Sequence, residues 1–481
     1  MVTKQSAAAL SLLFFLSFNV NISGQEVVSQ AQTNANIEAQ NQLMQAHTQA
    51  HTQAHNQALQ THQSHNELHN QALQTQTAHN QALQTHNAAN AQAQKDHLWA
   101  IEAANEFHNR AHMQSVEQMK RKRLKAQSQV QNGGAMALLS FKKEIPGDHS
   151  NIRYTGRIVK NEDGSVSFDW SGSYMELKFT GSFLAIKVSD TRKNYYNLFV
   201  NGVEQGVVET FGKDSVIVLA SGLKGKNNVV RLQKRSEGEQ GKSTIHTLYL
   251  SKTGKILEYN PGRTRHIEFI GNSLTVGFGT EGKSKDEKFL ASTENCNLAF
   301  GAIISRYFNA DYTLIAHSGW GAARNYGDTS RVSRISMKDK MLQTFDMEPG
   351  QMWNFTSYKP DIVVINLGSN DFSTKPHPLK EEFLGAYSII IDRLREKYGD
   401  VPILCVAPNR GPAFEYLQEF VRARADKKLH FTAYLQGVYN SDSDLGSVGH
   451  PNYSGQQKLA MVLIPYISTA TGWALSPLPV R

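Results

Sequence analysis

Between Asn260 and Arg263 the hydrophobic pattern of this 481-residue chain changes its period, and that change limits what the chain can fold into more than any other feature. Upstream, from about residue 141, short runs alternate apolar and polar residues: SYMELKFTG, SFLAIKVSD, YYNLFVNG, DSVIVLASG, NNVVRLQKR and STIHTLYLS. Side chains of an extended strand point to opposite faces in turn, so a period of two predicts half-buried strands. Asn201-Gly202 separates two of these runs, and both residues tolerate the left-handed backbone of a tight hairpin. Several such strands, with no helical period among them, predict a β-sandwich over residues 141–260.

Downstream the pattern alternates strand with helix. HIEFIG (266–271), YTLIAHSG (312–319), DIVVINLGSND (361–371) and VPILCVAP (401–408) are strand-like. The third is continuously apolar, as strands of a doubly covered parallel sheet are. NLAFGAIISRYF (297–308), EEFLGAYSIIIDRLREKY (381–398) and GQQKLAMVLIPYIS (455–468) carry helical spacing. The prediction is a doubly wound α/β domain over 264–475. Ligands of such sheets bind at the carboxyl ends of the strands. Three of the strands end there on small polar clusters: Gly271-Asn272-Ser273, His317-Ser318-Gly319 and Gly368-Ser369-Asn370-Asp371.

Those clusters suit acyl transfer. A serine hydroxyl needs a base to take its proton, and attack on an ester carbonyl needs donors for the developing oxyanion. Ser273 supplies a hydroxyl and its own N–H. Gly319 supplies a second N–H, and Asn370 a side-chain amide. His450, on a loop before the final helix, is the candidate base. His317 falls within or at the end of a strand, His377 lies between prolines, and His430 is a third competitor. Singly, each residue has a plain structural explanation: strand end, turn glycine, helix cap, loop histidine. Four of them at four predicted sheet-edge positions point to one site.

GNSLT, HSGWG, GSND and GHPN resemble the four blocks of SGNH (GDSL-type) hydrolases. With YTGRI (154–158), NYYNLFVNG (194–202), GWGAARNYGD (319–328) and DLGSVGHPN (444–452), the chain resembles carbohydrate esterase family 2 more closely. Members of that family join a small β-jelly-roll domain to an SGNH domain, and the similarity covers about residues 145–470. The resemblance implies a three-layer α/β/α SGNH domain after a jelly roll. It also implies an acetylxylan esterase-like enzyme that removes O-acetyl groups from plant polysaccharides such as xylan or mannan. The roles it carries over are Ser273 as nucleophile, His450 as base, and Gly319 and Asn370 as oxyanion donors. Two positions depart from the pattern. Asn272 stands where the family block has aspartate, and Ser447 stands where SGNH enzymes place the aspartate three residues before the histidine. A Ser-His dyad oriented by a backbone carbonyl is therefore expected, with Asp444 as the alternative third member of a triad. Trp320 and Tyr326 are candidates for stacking on sugar rings. No metal or organic cofactor is expected.

The amino-terminal part is of another kind. Lys4, the apolar run Ala7–Phe18 and a cleavage site near Gly24 read as a signal peptide over 1–24, and hence a secreted protein. The apolar run is short for a membrane span. Residues 25–132 are a Gln/His/Ala/Asn-rich spacer, helical or disordered, in which HNQALQT recurs from His55, His69 and His79. The leucines are too sparse for a heptad seam, although the segment is a candidate for self-association. His47, His51 and His55 would share a helix face, but no carboxylate or cysteine accompanies them to favour a metal. The formal net charge of +8 concentrates only in KRKRLK (120–125), too little to call a nucleic-acid partner. Cys296 and Cys405 are expected to stay unbridged. Two other functions fit the same sequence: a lipase or small-ester hydrolase of the GDSL type, and a catalytically inactive carbohydrate-binding surface protein.

Overall fold

The structure, a computed structural model, describes parts of 38–81 and of 121–128, and residues 142–475 apart from 213–214, 225, 409–410, 435–436 and 440. The signal-peptide reading and much of the spacer lie outside the described residues. The chain divides into two compact units, Met1–Ala100 and Ile101–Arg481. In the first, the described residues are helical and exposed, His47, His51 and His55 among them. Among the described residues no helix is long and apolar enough to cross a membrane.

The second unit begins with two six-stranded antiparallel sheets packed face to face. Alternation is the reason. In Tyr174–Phe179, Met175, Leu177 and Phe179 enter the core, where they meet Leu184, Ile186 and Val188 of Phe183–Asp190. Asn201 (φ 53°) and Gly202 (φ 80°) turn Lys193–Val200 into Val203–Phe211, with Val200 opposite Val203. Ser215–Ser221 is an edge strand, and Gln127 covers part of it: its amide bonds the Val216 carbonyl (3.2 Å) and the Val218 N–H (2.7 Å). An edge with unpaired backbone groups would otherwise recruit another strand.

The carboxy-terminal half holds a five-stranded parallel sheet. Its order is Ala310–Ala316, Arg265–Gly271, Ile362–Ile365, Ile403–Ala407, Leu429–Ala433. Apolar side chains of each strand go to both faces. Ile362, Val364 and Leu404 pack with Phe300–Tyr307 and Tyr453–Thr471 on one face. Val363, Ile365 and Cys405 pack with Lys380–Tyr398 and Ala413–Ala423 on the other. This is a three-layer α/β/α domain behind a β-sandwich, as expected. Both cysteines are buried and free.

The structure differs from the sequence reading in detail. The strand read as 361–371 spans only Ile362–Ile365, because the chain turns away from the sheet at Gly368, where φ is 118°. The strand Leu429–Ala433 and the helix Ala413–Ala423 were not anticipated; the first is short and interrupted by a histidine.

Candidate active site

Arg265–Gly271 is the first strand of the parallel sheet, and its neighbours on either side are the second and third. The strand order runs outward in opposite senses on its two sides, so its carboxyl end opens into the switch-point crevice of the fold. Gly271 is required there, since a Cβ would collide with the Thr275 side chain. Asn272 then caps the helix Ser273–Val276 by accepting from the Leu274 N–H (3.3 Å), and its Nδ2 donates to Ser369 Oγ (3.0 Å). The amide thus ties the serine turn to the Gly-Ser-Asn-Asp loop without a charge. Ser273 lines a cleft of about 760 Å³.

His450 reaches the same point from a sequence distance of 177 residues. Its Nε2 lies 2.9 Å from Ser273 Oγ. Its Nδ1 lies 3.3 Å from the Val448 carbonyl, so a proton on Nδ1 leaves Nε2 free to accept from the serine. Val448 takes φ 56°, a left-handed conformation uncommon for a β-branched residue. Backbone bonds from the Val448 N–H to Glu287 O (2.9 Å) and from the Gly449 N–H to Lys285 O (3.0 Å) hold that turn. Phe278 packs on the imidazole at 4.4 Å and stacks on Phe289 at 4.0 Å. Burial pulls the His450 pKa below the ordinary histidine value, and the carbonyl bond offsets this only in part. The ring is therefore neutral at neutral pH.

Asp444 does not meet His450. Its carboxylate bonds Ser441 (2.6 Å), Ser454 (3.0 Å) and Lys458 (2.6 Å), tying the histidine loop to the first turns of the final helix. Ser447 is buried, and its hydroxyl has no partner among the described residues.

Gly319 follows the second strand of the sheet, adjacent to the strand that delivers Ser273. The His317 N–H donates to Gly271 O at 3.4 Å, and Gly319 itself has φ 78°. Neither the Ser273 N–H nor the Gly319 N–H has a hydrogen-bond partner among the described residues. Asn370 lines the cleft with Ser273 and gives one amide hydrogen to Trp320 O (2.9 Å), leaving the other. Tyr326 is exposed and lines the cleft. Trp320 does not; its ring is held between His317 (5.6 Å) and the Lys340 ammonium (4.3 Å). Phe372, Tyr439 and Tyr434 complete an aromatic wall, and the buried Tyr434 hydroxyl has no partner among the described residues.

Sequence reasoning missed the residues that brace these loops. Asp371 accepts from the N–H groups of Ala322 (3.0 Å), Ala323 (2.7 Å) and Arg324 (2.9 Å), fixing the chain just beyond Gly319. The position of Asp371 in the GSND block was its only signal. The other braces come from the sandwich, where Lys234, Arg235, Ser236 and Glu237 are consecutive and buried. Glu237 accepts from the Ser318 N–H (2.5 Å), one residue before Gly319. Arg235 donates to Glu294 O (2.6 Å), Ser292 O (3.2 Å) and the Glu281 carboxylate, clamping the loop that supports His450. His317 Nδ1 is 2.7 Å from Asp346, which also pairs with Lys340 (2.8 Å). Burial lowers the His317 pKa, but Asp346 and Glu237 outweigh it and carry it up to about 9. No pattern in KRSE distinguishes it from a solvated turn.

A β-sandwich joined to a three-layer α/β/α domain, with a serine and a histidine in hydrogen-bond contact at the switch point, defines a two-domain hydrolase of the GDSL type. Residues 154–259 match the carbohydrate esterase 2 N-terminal family, and residues 269–458 match the GDSL-like lipase/acylhydrolase family. The chain belongs to carbohydrate esterase family 2. It is similar to the cellulase/esterase CelE of Acetivibrio thermocellus, 31% identical over 336 residues. That alignment covers 68% of this chain but only 40% of CelE. It is also similar to an acetylxylan esterase/glucomannan deacetylase of Cellvibrio japonicus, 29% identical over 66% of this chain and 90% of the relative. Among solved structures, a family two carbohydrate esterase from Clostridium thermocellum in complex with cellohexaose superposes with a TM-score of 0.62. The two are 32% identical, and the match covers 67% of this chain and all of the other.

Proposed function

We propose that this protein is an exported serine esterase that removes O-acetyl groups from plant cell-wall polysaccharides, xylan or mannan, or from their oligosaccharides. The observation that carries the reading is the 2.9 Å contact between His450 Nε2 and Ser273 Oγ in an open cleft walled by aromatic rings. His450 takes the serine proton as Oγ attacks the acetyl carbonyl carbon. The N–H groups of Ser273 and Gly319 and the Asn370 amide receive the oxyanion. Collapse expels the sugar hydroxyl, which takes the proton from His450, and leaves an acetyl-serine. A water molecule, deprotonated by the same imidazole, releases acetate and restores the hydroxyl. The Val448 carbonyl fills the orienting role usually given to a carboxylate, so two side chains suffice.

The relatives named as acetylxylan esterases and the neighbour solved with cellohexaose support a saccharide substrate. The cleft agrees: rings of Tyr326, Phe372 and Tyr439 offer faces for pyranose rings. Export rests on the Lys4 and Ala7–Phe18 pattern, and the mature N-terminus near Gly24 tests it. The deciding experiment is acetate release from acetylated xylan and acetylated glucomannan by wild type and Ser273→Ala. Preference for long-chain acyl esters would move the reading to a lipase, and absence of any turnover would make the protein a binder.

A further inference from the structure

The ester chemistry leaves a second large cleft unused. It has a volume of about 650 Å³, within the range of about 300–1,000 Å³ typical of ligand sites. It opens where the sandwich meets the amino end of Ala310–Ala316, whereas Ser273 follows the carboxyl end of the adjacent strand. The two clefts therefore sit at opposite edges of the parallel sheet.

Three arginines, Arg231, Arg263 and Arg306, line its wall. Arg231 pairs with Glu176 (3.1 Å), and Arg263 pairs with Glu176 and with Asp311 (2.6 Å). Arg153, behind the lining, joins the same two carboxylates. Three guanidinium groups thus share two carboxylates before Arg306 is counted. Arg306 lines the cleft and is half-buried. Its Nη1 donates to the carbonyl (2.9 Å) and side-chain oxygen (3.1 Å) of Asn297, and among the described residues no carboxylate forms a direct ion pair with it, Glu204 acting only at longer range. Loss of water lowers its pKa. The Glu204 carboxylate, beyond ion-pair distance, offsets that loss only in part, and a bound carboxylate in direct contact would match the guanidinium fork. The rest of the lining is not that of a bare anion site. Phe199 and Tyr259 present half-buried rings, and the exposed amides of Asn227 and Asn309 stand at the rim.

We propose that this cleft binds an acidic oligosaccharide, with the carboxylate of a hexuronate residue on Arg306, its ring against Tyr259 or Phe199, and its hydroxyls on the rim amides. Calorimetric titration of the full chain with trigalacturonate, neutral xylotriose and inorganic phosphate tests it. Trigalacturonate is expected to bind at least about tenfold more tightly than xylotriose and to weaken as salt rises. Arg306→Gln, checked for its thermal transition, removes that advantage. Tyr259→Ala weakens the acidic sugar as well, and gives the same reading should Arg306→Gln not fold. His450→Ala binds trigalacturonate as wild type does. Equal affinity for the acidic and neutral sugars overturns the proposal. So do phosphate displacing trigalacturonate at matched concentration, an unchanged Arg306→Gln, or loss of binding in His450→Ala, which would place the sugar in the ester cleft.

Discussion

In the proposed mechanism, chemistry at Ser273 depends on one proton's position. With Nδ1 donating to the Val448 carbonyl, Nε2 is the lone-pair nitrogen, and it faces the hydroxyl. Ser273→Ala and His450→Ala are therefore expected to lower kcat for acetyl ester hydrolysis by about 10³-fold or more. Asp444→Asn should keep most of kcat, because that carboxylate holds Lys458 and two serines rather than the imidazole. Its loss should appear instead as roughly 1–3 kcal/mol of stability in denaturant titration. An Asp444→Asn enzyme as inactive as the serine variant would end the dyad reading. The depressed pKa of His450 makes a second expectation at this scale. The base must be neutral, so the acid limb of kcat/KM should fall below the ordinary histidine value of about 6.5, and activity should persist into mildly acidic solution. A limb at or above that value contradicts the burial effect.

The elements around the site matter because neither catalytic loop holds its own shape. The turn bearing Gly319 is fixed from the sandwich by Glu237 and from the parallel sheet by Asp371. The loop bearing His450 leans on residues 285–287, and that segment is clamped by Arg235. Glu237 is a positioning residue, since its carboxylate meets the Ser318 N–H and not the substrate. Glu237→Ala is expected to lower kcat by about 10–100-fold with little change in KM, as displacement of an oxyanion donor would. Glu237→Gln keeps an acceptor oxygen for that N–H and should restore most of the rate; a KM effect in place of a kcat effect would argue for a substrate contact. His317 makes the same turn sensitive to pH. Its folded pKa of about 9 lies above the unfolded value, so its contribution is full below about pH 6.5 and is lost as pH rises through about 9. The loss is on the order of 3 kcal/mol. The thermal midpoint should drop between about pH 6.5 and 9 in wild type and less steeply in His317→Gln.

At the scale of the whole molecule, the sandwich and the α/β domain are joined through buried polar groups. Trp170 Nε1 donates to Thr344 O (2.9 Å), and Asp169 accepts from the N–H groups of Asp346 (2.8 Å) and Met347 (3.0 Å). Arg157 donates to Met341 O (2.7 Å) and Gln343 O (2.6 Å) and lies 3.8 Å from Glu268. Buried groups of this kind are costly once a partner is removed, about 3–5 kcal/mol for a broken ion pair, so neither half should survive alone in its present form. Calorimetry of residues 121–481 should show one cooperative transition; two separated transitions would mean the halves are independent domains.

Much of this architecture was legible in the chain because it follows from local spacing. A period of two over 141–260 can bury one face of a strand only in a sheet, and Asn201-Gly202 supplies the turn its flanking strands require. Small polar clusters at the ends of apolar strands marked Ser273, Gly319 and Asn370, since parallel strands deliver their carboxyl ends to one edge. His450 was legible from its loop before the last helix. Tertiary packing decided the rest. Which group orients His450 depends on a backbone carbonyl at a left-handed valine, and φ is not written in the residue type. Trp320 became a packing residue because Lys340 and His317 close over it. Lys234–Glu237 became the brace of both catalytic loops because strands distant in sequence stack there, and burial turns ordinary surface charges into fixed partners.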